Sequence, residues 1–194
     1  VPWVPSWWPF RLYMTVIYQN LDGLLLYGGY PELNGKALEE NLSMRQEIAA
    51  AIKDGMPCLA ECGGFMYLHE KMEGMDGKCY EMAGVIPGKV WRTPRLTRFG
   101  YITLKQNLGI SHGKQETAIL GGVRIFVGVK SQSIVIHYFD SDNCGTAFHA
   151  SKPESNAGGT CMHGFDHLLA GFPHLYYYAN PKIPQAFLKK VSGV

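Results

Sequence analysis

The sequence predicts an α/β fold in which a mostly parallel sheet is flanked by helices. Three observations predict it. Leu21 to Glu32 (LDGLLLYGGYPE) holds a short continuous apolar run closed by two glycines, which suits a strand buried on both faces. Lys36 to Lys53 then changes to helical spacing. A second apolar run, MPCLAE, follows at once. Strand, helix and strand at this length make a βαβ unit, whose crossover is right-handed by default.

The elements follow in order along the chain. Val1 to Trp8, rich in Trp and Pro, reads as irregular, and Arg11 to Ile17 is compatible with a strand. Gly28 and Gly29 mark a sharp turn or a close backbone approach after the first apolar run. Leu38, Leu42, Arg45, Ala49 and Ile52 recur at spacings of three and four, with Glu39, Glu40, Gln46 and Glu47 between them, so they form one amphipathic helix. Asp54-Gly55 ends it, glycine being a good left-handed cap. The next strand turns at Glu61-Cys62-Gly63-Gly64 into a second helix. Gly84 to Leu104 reads as strands joined by turns, Gln106 to Glu116 as a polar loop, and GGVRIFVGV and SIVIHYF as strands by their β-branched content. Asp140 to Gly164, rich in Asp, Asn, Ser and Gly, reads as a long loop. HLLAGFPHLYYYA supplies a last strand or two, and Pro181 to Val191 a final amphipathic helix carrying Ile183, Phe187, Leu188 and Val191.

Composition excludes several classes of protein. Among 194 residues, 46% are hydrophobic and 12% aromatic, enough for a core and too many for a disordered chain. The formal net charge of +2 excludes a strongly basic nucleic-acid footprint. Lys89, Arg92, Arg95 and Arg98 still cluster, either as a solvated strand face or as an anion- or partner-facing edge. No apolar run reaches the roughly 18–20 residues of a membrane span. The opening VPWVPSWWPF has Trp and Pro where a signal peptide carries an apolar segment. Cys58, Cys62, Cys79, Cys144 and Cys161 are odd in number and contain no CxxC pair, which favours reduced thiols in a cytoplasmic protein. The spacing offers no metal site.

The sharpest chemical feature is Ala60-Glu61-Cys62-Gly63-Gly64. A cysteine on a tight strand-to-helix turn is exposed by that turn, and the glycines after it remove side chains that would block a substrate. The N-terminus of the following helix favours a thiolate, and the Gly63 N–H can point at an oxyanion. Such a nucleophile needs a base. Of seven histidines, His174 in Phe172-Pro173-His174-Leu175-Tyr176 is singled out by its place after the long loop, at the end of the fold. For a carboxylate to orient it, Glu61 adjoins the nucleophile but is expected to point away on the turn, and Asp166 falls in a loop.

These residues carry a resemblance. GGYPEL, ENLSMRQEI, GMPCLAECGGFMYL, RFGYITL, HYFDSDNCGTAFHASKP and AGFPHLYYYANP occur in this order. Together they resemble the C-terminal glutaminase domain of the cobyrinic acid a,c-diamide synthase family, over roughly Leu21 to Val191. The resemblance implies a flavodoxin-like sheet of the class I, triad-type glutamine amidotransferases. It divides the chain into an irregular or truncated segment, residues 1–20, and a glutaminase domain, residues 21–194. It implies that Cys62 is the nucleophile, His174 its base, and the backbone N–H groups of Gly29 and Gly63 the oxyanion hole. L-glutamine is then the substrate. The ammonia passes to an ATP- and Mg²⁺-dependent synthetase domain or subunit, which amidates the a and c carboxylates of a corrinoid or related tetrapyrrole.

The sequence departs from the family's pattern at several points. It has no GxxxxGK[ST] phosphate loop, so the resemblance assigns no cofactor to the chain itself. Tyr27 stands where relatives often carry a glycine, Ile134-Val135-Ile136 precede His137-Tyr138 in place of a His-Glu pair, and Tyr176 replaces a second histidine. Two other readings therefore accompany the glutaminase: a catalytically impaired docking or regulatory module with the same fold, and another cysteine hydrolase on the same sheet.

Overall fold

The first strand, β1 (Leu24–Leu26), keeps the apolar centre of the predicted run. In the computed structural model, residues 21–97, 100–107, 125–127, 138–152, 157–164 and 167–192 are described. The readings made for residues 1–20, for most of Gln106 to Glu116 and for nearly all of SIVIHYF lie outside them, as do Arg98, His112, His137 and Asp166.

After β1 the chain passes Gly28 and Gly29 into a 3-10 turn, Pro31–Asn34. The predicted single helix is two helices, α1 (Gly35–Glu40) and α2 (Leu42–Lys53). Asn41 divides them: its side chain accepts a hydrogen bond from the Met44 N–H at 3.4 Å and caps α2. Asparagine favours such caps over helix interiors because its side chain competes for backbone groups. The break also turns the second helix. Leu38, Met44, Ile48 and Ile52 are buried, and Leu42, expected on the apolar face, is exposed. Gly55 closes α2 with φ of +96°, the predicted left-handed cap.

The chain continues as β2 (Cys58–Glu61), α3 (Gly63–Tyr67), β3 (His69–Glu73), β4 (Cys79–Glu81), β5 (Ile86–Arg92), β6 (Ile102–Gln106), β7 (Ile125–Val127) and β8 (Phe139–Ser141). Then come β9 (Phe148–Ser151), β10 (Gly158–Cys161), β11 (His163–Gly164), β12 (Leu168–Gly171), a 3-10 turn at Tyr177–Ala179 and α4 (Lys182–Ser192). The predicted second helix is thus a five-residue turn, α3. His69 stops it, with Nδ1 3.0 Å from the Phe65 carbonyl oxygen and Nε2 2.6 Å from the Ser141 hydroxyl. Burial lowers the pKa of this histidine, so it stays a neutral tie between β3 and β8.

The central sheet has the order β1-β2-β12-β11, with β1, β2 and β12 parallel and β11 antiparallel at the edge. This is the predicted α/β architecture. Two further four-stranded sheets, β4-β3-β5-β8 and β10-β9-β6-β7, flank it. They correct the reading of Asp140 to Gly164 as a long loop, since that span holds β9, β10 and β11. Gly158, Gly159 and Gly164 are strand glycines: a Cβ on Gly158 would lie 2.2 Å from the Ala150 carbonyl oxygen. The pairing that makes it a strand is with β6, Leu104 opposite Ala150, and is invisible to local composition. Lys89 and Arg92 on β5 and Arg95 after it are exposed.

Side-chain alternation divides the core into two layers. Leu24, Leu26, Cys58, Ala60, Leu168 and Ala170 face a cluster with Leu38, Ile48, Ile52 and Phe65. The residues between them, Leu25, Leu59 and Leu169, face a second cluster with Phe148, Leu175, Tyr177, Ile183 and Phe187. Helices therefore cover both faces of the parallel strands, as a continuous apolar run requires.

Gly64 fixes how α3 meets this sheet. A Cβ there would stand 2.1 Å from the Leu26 carbonyl oxygen, an impossible distance against rigid backbone. Gly64→Ala is expected to lower thermal stability by at least the ~1–3 kcal/mol typical of overpacking. Gly29→Ala, where a Cβ meets nothing within 4 Å, is expected to melt like the unaltered protein. Paired melting curves check both.

Candidate active site

Cys62 follows directly on β2 with φ of +49° and ψ of −107°. A non-glycine residue held there costs on the order of 1–3 kcal/mol and persists where its surroundings enforce it. Here the Cys62 N–H donates to the Gly171 carbonyl at 2.9 Å, and the Cys62 carbonyl accepts from Met66 N–H at 2.9 Å. The elbow predicted from AECGG is therefore present. Its glycines serve a different purpose from the one expected. A Cβ on Gly63 would lie 2.8 Å from the Gly29 carbonyl oxygen and 3.0 Å from the Gly29 nitrogen. Gly63 and Gly64 thus admit the neighbouring backbone of β1 and the loop after it. They also bring the two peptide units expected to form an oxyanion hole, Gly29 and Gly63, against each other.

The strand β12 runs parallel to β2 with Gly171 opposite Glu61. The chain leaving β12 must pass the elbow, and three residues later it places His174 over Cys62. The imidazole bonds the Cys62 thiol, and its Nδ1 lies 3.5 Å from Glu61 Oε2. At that distance the carboxylate contact is an ion pair longer than a well-formed hydrogen bond. The bond to Cys62, and after it the contact with Glu61, raise the His174 pKa to about 10 against the opposing effect of burial. The predicted pair of Cys62 and His174, 112 positions apart in sequence by their numbers, is thus assembled.

Glu61 overturns its sequence reading. It was expected to point away on the turn, yet its carboxylate reaches His174 on one side. On the other, Oε1 accepts a short hydrogen bond from the Tyr177 hydroxyl. Alternation explains the placement. Glu61 follows the inward–outward pattern of β2 onto the face of Leu59, where Tyr177 and Leu175 pack. Its signal in the sequence was a carboxylate ending an otherwise apolar strand, CLAE, which cannot be buried without a partner. Gly28 is a second residue missed. A Cβ there would lie 2.7 Å from His174 Cε1, so Gly28 leaves room for the ring.

Among the described residues the other histidines take no part. His149 is exposed, His167 half-buried, and His163 lies with Nε2 3.1 Å from the Asn143 carbonyl oxygen. Burial pushes the Cys58 thiol pKa up to about 12, which leaves it an inert core group. None of the five cysteines forms a disulfide. Among the described residues no cluster of His, Cys, Asp and Glu could hold a metal ion, and no helix is long and apolar enough to cross a membrane.

The family model for the CobB/CobQ-like glutamine amidotransferase domain matches residues 11–166, most of the chain. The chain belongs to this family. Among curated relatives it is 30% identical to a cobyrinate a,c-diamide synthase of Dehalococcoides mccartyi over 185 residues, covering 92% of this chain and 37% of that protein. It is 32% identical to the synthase of Picrophilus torridus, covering 89% and 34%, and 36% identical to that of Listeria innocua, covering 84% and 34%. The chain therefore spans about a third of the length of these relatives. A solved glutamine amidotransferase is similar at 18% identity with a TM-score of 0.47, over 91% of this chain and 82% of that one.

The raised pKa of His174 couples stability to pH. The unfolded chain carries an ordinary imidazole near 6.5, and the folded protein holds the same proton more tightly. The stabilisation is fully present below pH 6.5 and is lost as pH climbs through about 10. Melting curves across that window are expected to fall more steeply for the unaltered protein than for His174→Gln. Gly28→Ala drives a methyl group into the imidazole and is expected to bring the His174 titration, followed by NMR, back toward its ordinary value.

Proposed function

We propose that this chain is the glutaminase part of an amidotransferase and hydrolyses L-glutamine at Cys62. The observation that supports the reading most is the Cys62 thiol bonded to the imidazole of His174 on a strained elbow. An imidazole that takes the thiol proton creates the nucleophile, and the two charges stabilise each other. The thiolate attacks the side-chain amide carbon of glutamine. The oxyanion that forms is bound by the Gly29 and Gly63 backbone N–H groups. His174 returns its proton to the departing nitrogen, which leaves as ammonia, and a γ-glutamyl thioester remains. Water then attacks that thioester, giving its proton to His174, and releases glutamate and the thiol. The net change is glutamine plus water to glutamate plus ammonia.

The relatives extend this reading. They carry the name cobyrinate a,c-diamide synthase and are nearly three times longer than the matched region. By analogy, ammonia from Cys62 serves an ATP- and Mg²⁺-dependent synthetase portion that amidates a corrinoid or related tetrapyrrole. Tyr176 and Tyr178, close to His174 in sequence, and Tyr27, next to the Gly28 that faces the imidazole, are exposed and supply an aromatic rim for such a partner to cover. The assembled Cys62–His174 pair speaks against the impaired docking module, which would have no use for a strained cysteine elbow.

A glutamine-analogue diazo-ketone is expected to label Cys62 and to spare Cys58, Cys79, Cys144 and Cys161. Cys62→Ala is expected to abolish glutamine hydrolysis. His174→Ala is expected to lower turnover by about 10²–10⁴-fold, the range for a positioned acid–base, with a smaller change in KM. In a reconstituted synthetase, free ammonia is expected to restore amidation to the Cys62→Ala complex. Normal hydrolysis by folded Cys62→Ala would overturn the reading.

A further inference from the structure

We propose that Glu61, the residue immediately before the nucleophile, is the positioning residue that fixes the tautomer and direction of His174, with Tyr177 anchoring its second oxygen. This rests on the reading of Cys62 and His174 as the hydrolytic pair.

The argument begins with burial. Glu61 has no exposed surface at the end of the central strand. A carboxylate taken out of water without a partner is strongly destabilising, and the group neutralises or finds compensation. Oε1 has the Tyr177 hydroxyl. Oε2 is buried and accepts no hydrogen bond among the described residues, and the cationic group beside it is His174, 3.5 Å away at Nδ1. The burial of this carboxylate is therefore compensated by an imidazole that directs Nδ1–H toward it.

The bond network has a single consistent direction. A hydroxyl owns one proton. Tyr177 gives its proton to Glu61, and His174 Nδ1–H points to Glu61. With Nδ1 so engaged, Nε2 is left to face the thiol. The neutral imidazole then has its lone pair where a base must have it, and the protonated ring is stabilised by the carboxylate behind it. A tyrosine, Tyr176, occupies the position two residues beyond His174 and is exposed, so no carboxylate approaches from there. The titratable groups that bear on the ring are Cys62 at the elbow and Glu61 on β2. Tyr177, in the 3-10 turn after β12, and Tyr27, in the loop after β1, act on it through Glu61.

This differs from a purely structural role, in which Glu61 would serve to tie Tyr177 to the sheet. Glu61→Gln separates the two. The Gln carbonyl still accepts from Tyr177, so the tie remains. Its NH₂ group then faces Nδ1 and favours the opposite tautomer, with the proton on Nε2 against the thiol. Glu61→Gln is expected to melt near the unaltered protein. Its kcat is expected to fall about 10²–10⁴-fold with KM little changed, and its Cys62 alkylation by iodoacetamide to shift to higher pH. Tyr177→Phe is expected to give a smaller change of the same sign. Nitrogen NMR of ¹⁵N-histidine-labelled unaltered protein, recorded above pH 10 where the ring has lost its second proton, supplies the direct readout, with His174 expected to carry its remaining proton on Nδ1. A folded Glu61→Gln with an unshifted alkylation profile would overturn the proposal. So would an Nε2–H tautomer of His174 in the unaltered protein, a result available even if Glu61→Gln fails to fold. Alkylation and NMR need no glutamine turnover, so a failure of the glutaminase reading shows separately, as absence of glutamate release by the unaltered protein.

Discussion

A buried carboxylate at the end of the central strand constrains everything around it. Glu61 ends an apolar run between two parallel neighbours, where the surrounding atoms are hydrocarbon and backbone. Its charge is tolerable because the chain brings a tyrosine hydroxyl to one oxygen and an imidazole to the other. Both come from the segment after β12, so the end of the fold is fastened to its centre by polar contacts. That fastening also puts His174 beside Cys62 and raises its pKa to about 10, first through the thiol and then through Glu61.

Close backbone approach is the second constraint, and it accounts for the glycines. Gly63 and Gly64 lie where a Cβ would meet the loop after β1 and the end of β1 itself. Gly28 faces the His174 ring, and Gly171 presents the carbonyl that holds the Cys62 N–H. Small residues on three consecutive segments let the elbow, the loop and the last strand meet at one point. The positive φ of Cys62 is maintained by this packing rather than by its own preference, since an L-residue with a Cβ disfavours that region. The five-residue α3 is too short to supply much of a dipole, so the local electrostatics of the thiol rest on His174.

Much of this was legible in the sequence. The βαβ unit was visible because a strand buried on both faces must be continuously apolar and the helix between must be amphipathic. The elbow was visible because few contexts place a cysteine before two glycines at the end of such a strand. Asn41, in contrast, falls within the helical spacing although it is a good cap, and that spacing puts the apolar face at Arg45 and Ala49, one residue away from the buried Met44 and Ile48. Asp140 to Gly164 was read as loop because glycine and asparagine are turn formers on average. There the partner strand β6 decided otherwise.

The sequence by itself determined the α/β class, the position of the elbow and the identity of its cysteine, because each depends on periodicity or on residues adjacent in the chain. Tertiary structure alone decided how His174 is brought over Cys62 and where Glu61 points. Those depend on the register of β12 against β2, Gly171 opposite Glu61, which is set by contacts between residues more than a hundred positions apart. A local reading treats the side chain of Glu61 as a property of its own turn. In the folded chain it is a property of what the neighbouring strand delivers: a tyrosine and a histidine that make a buried charge stable.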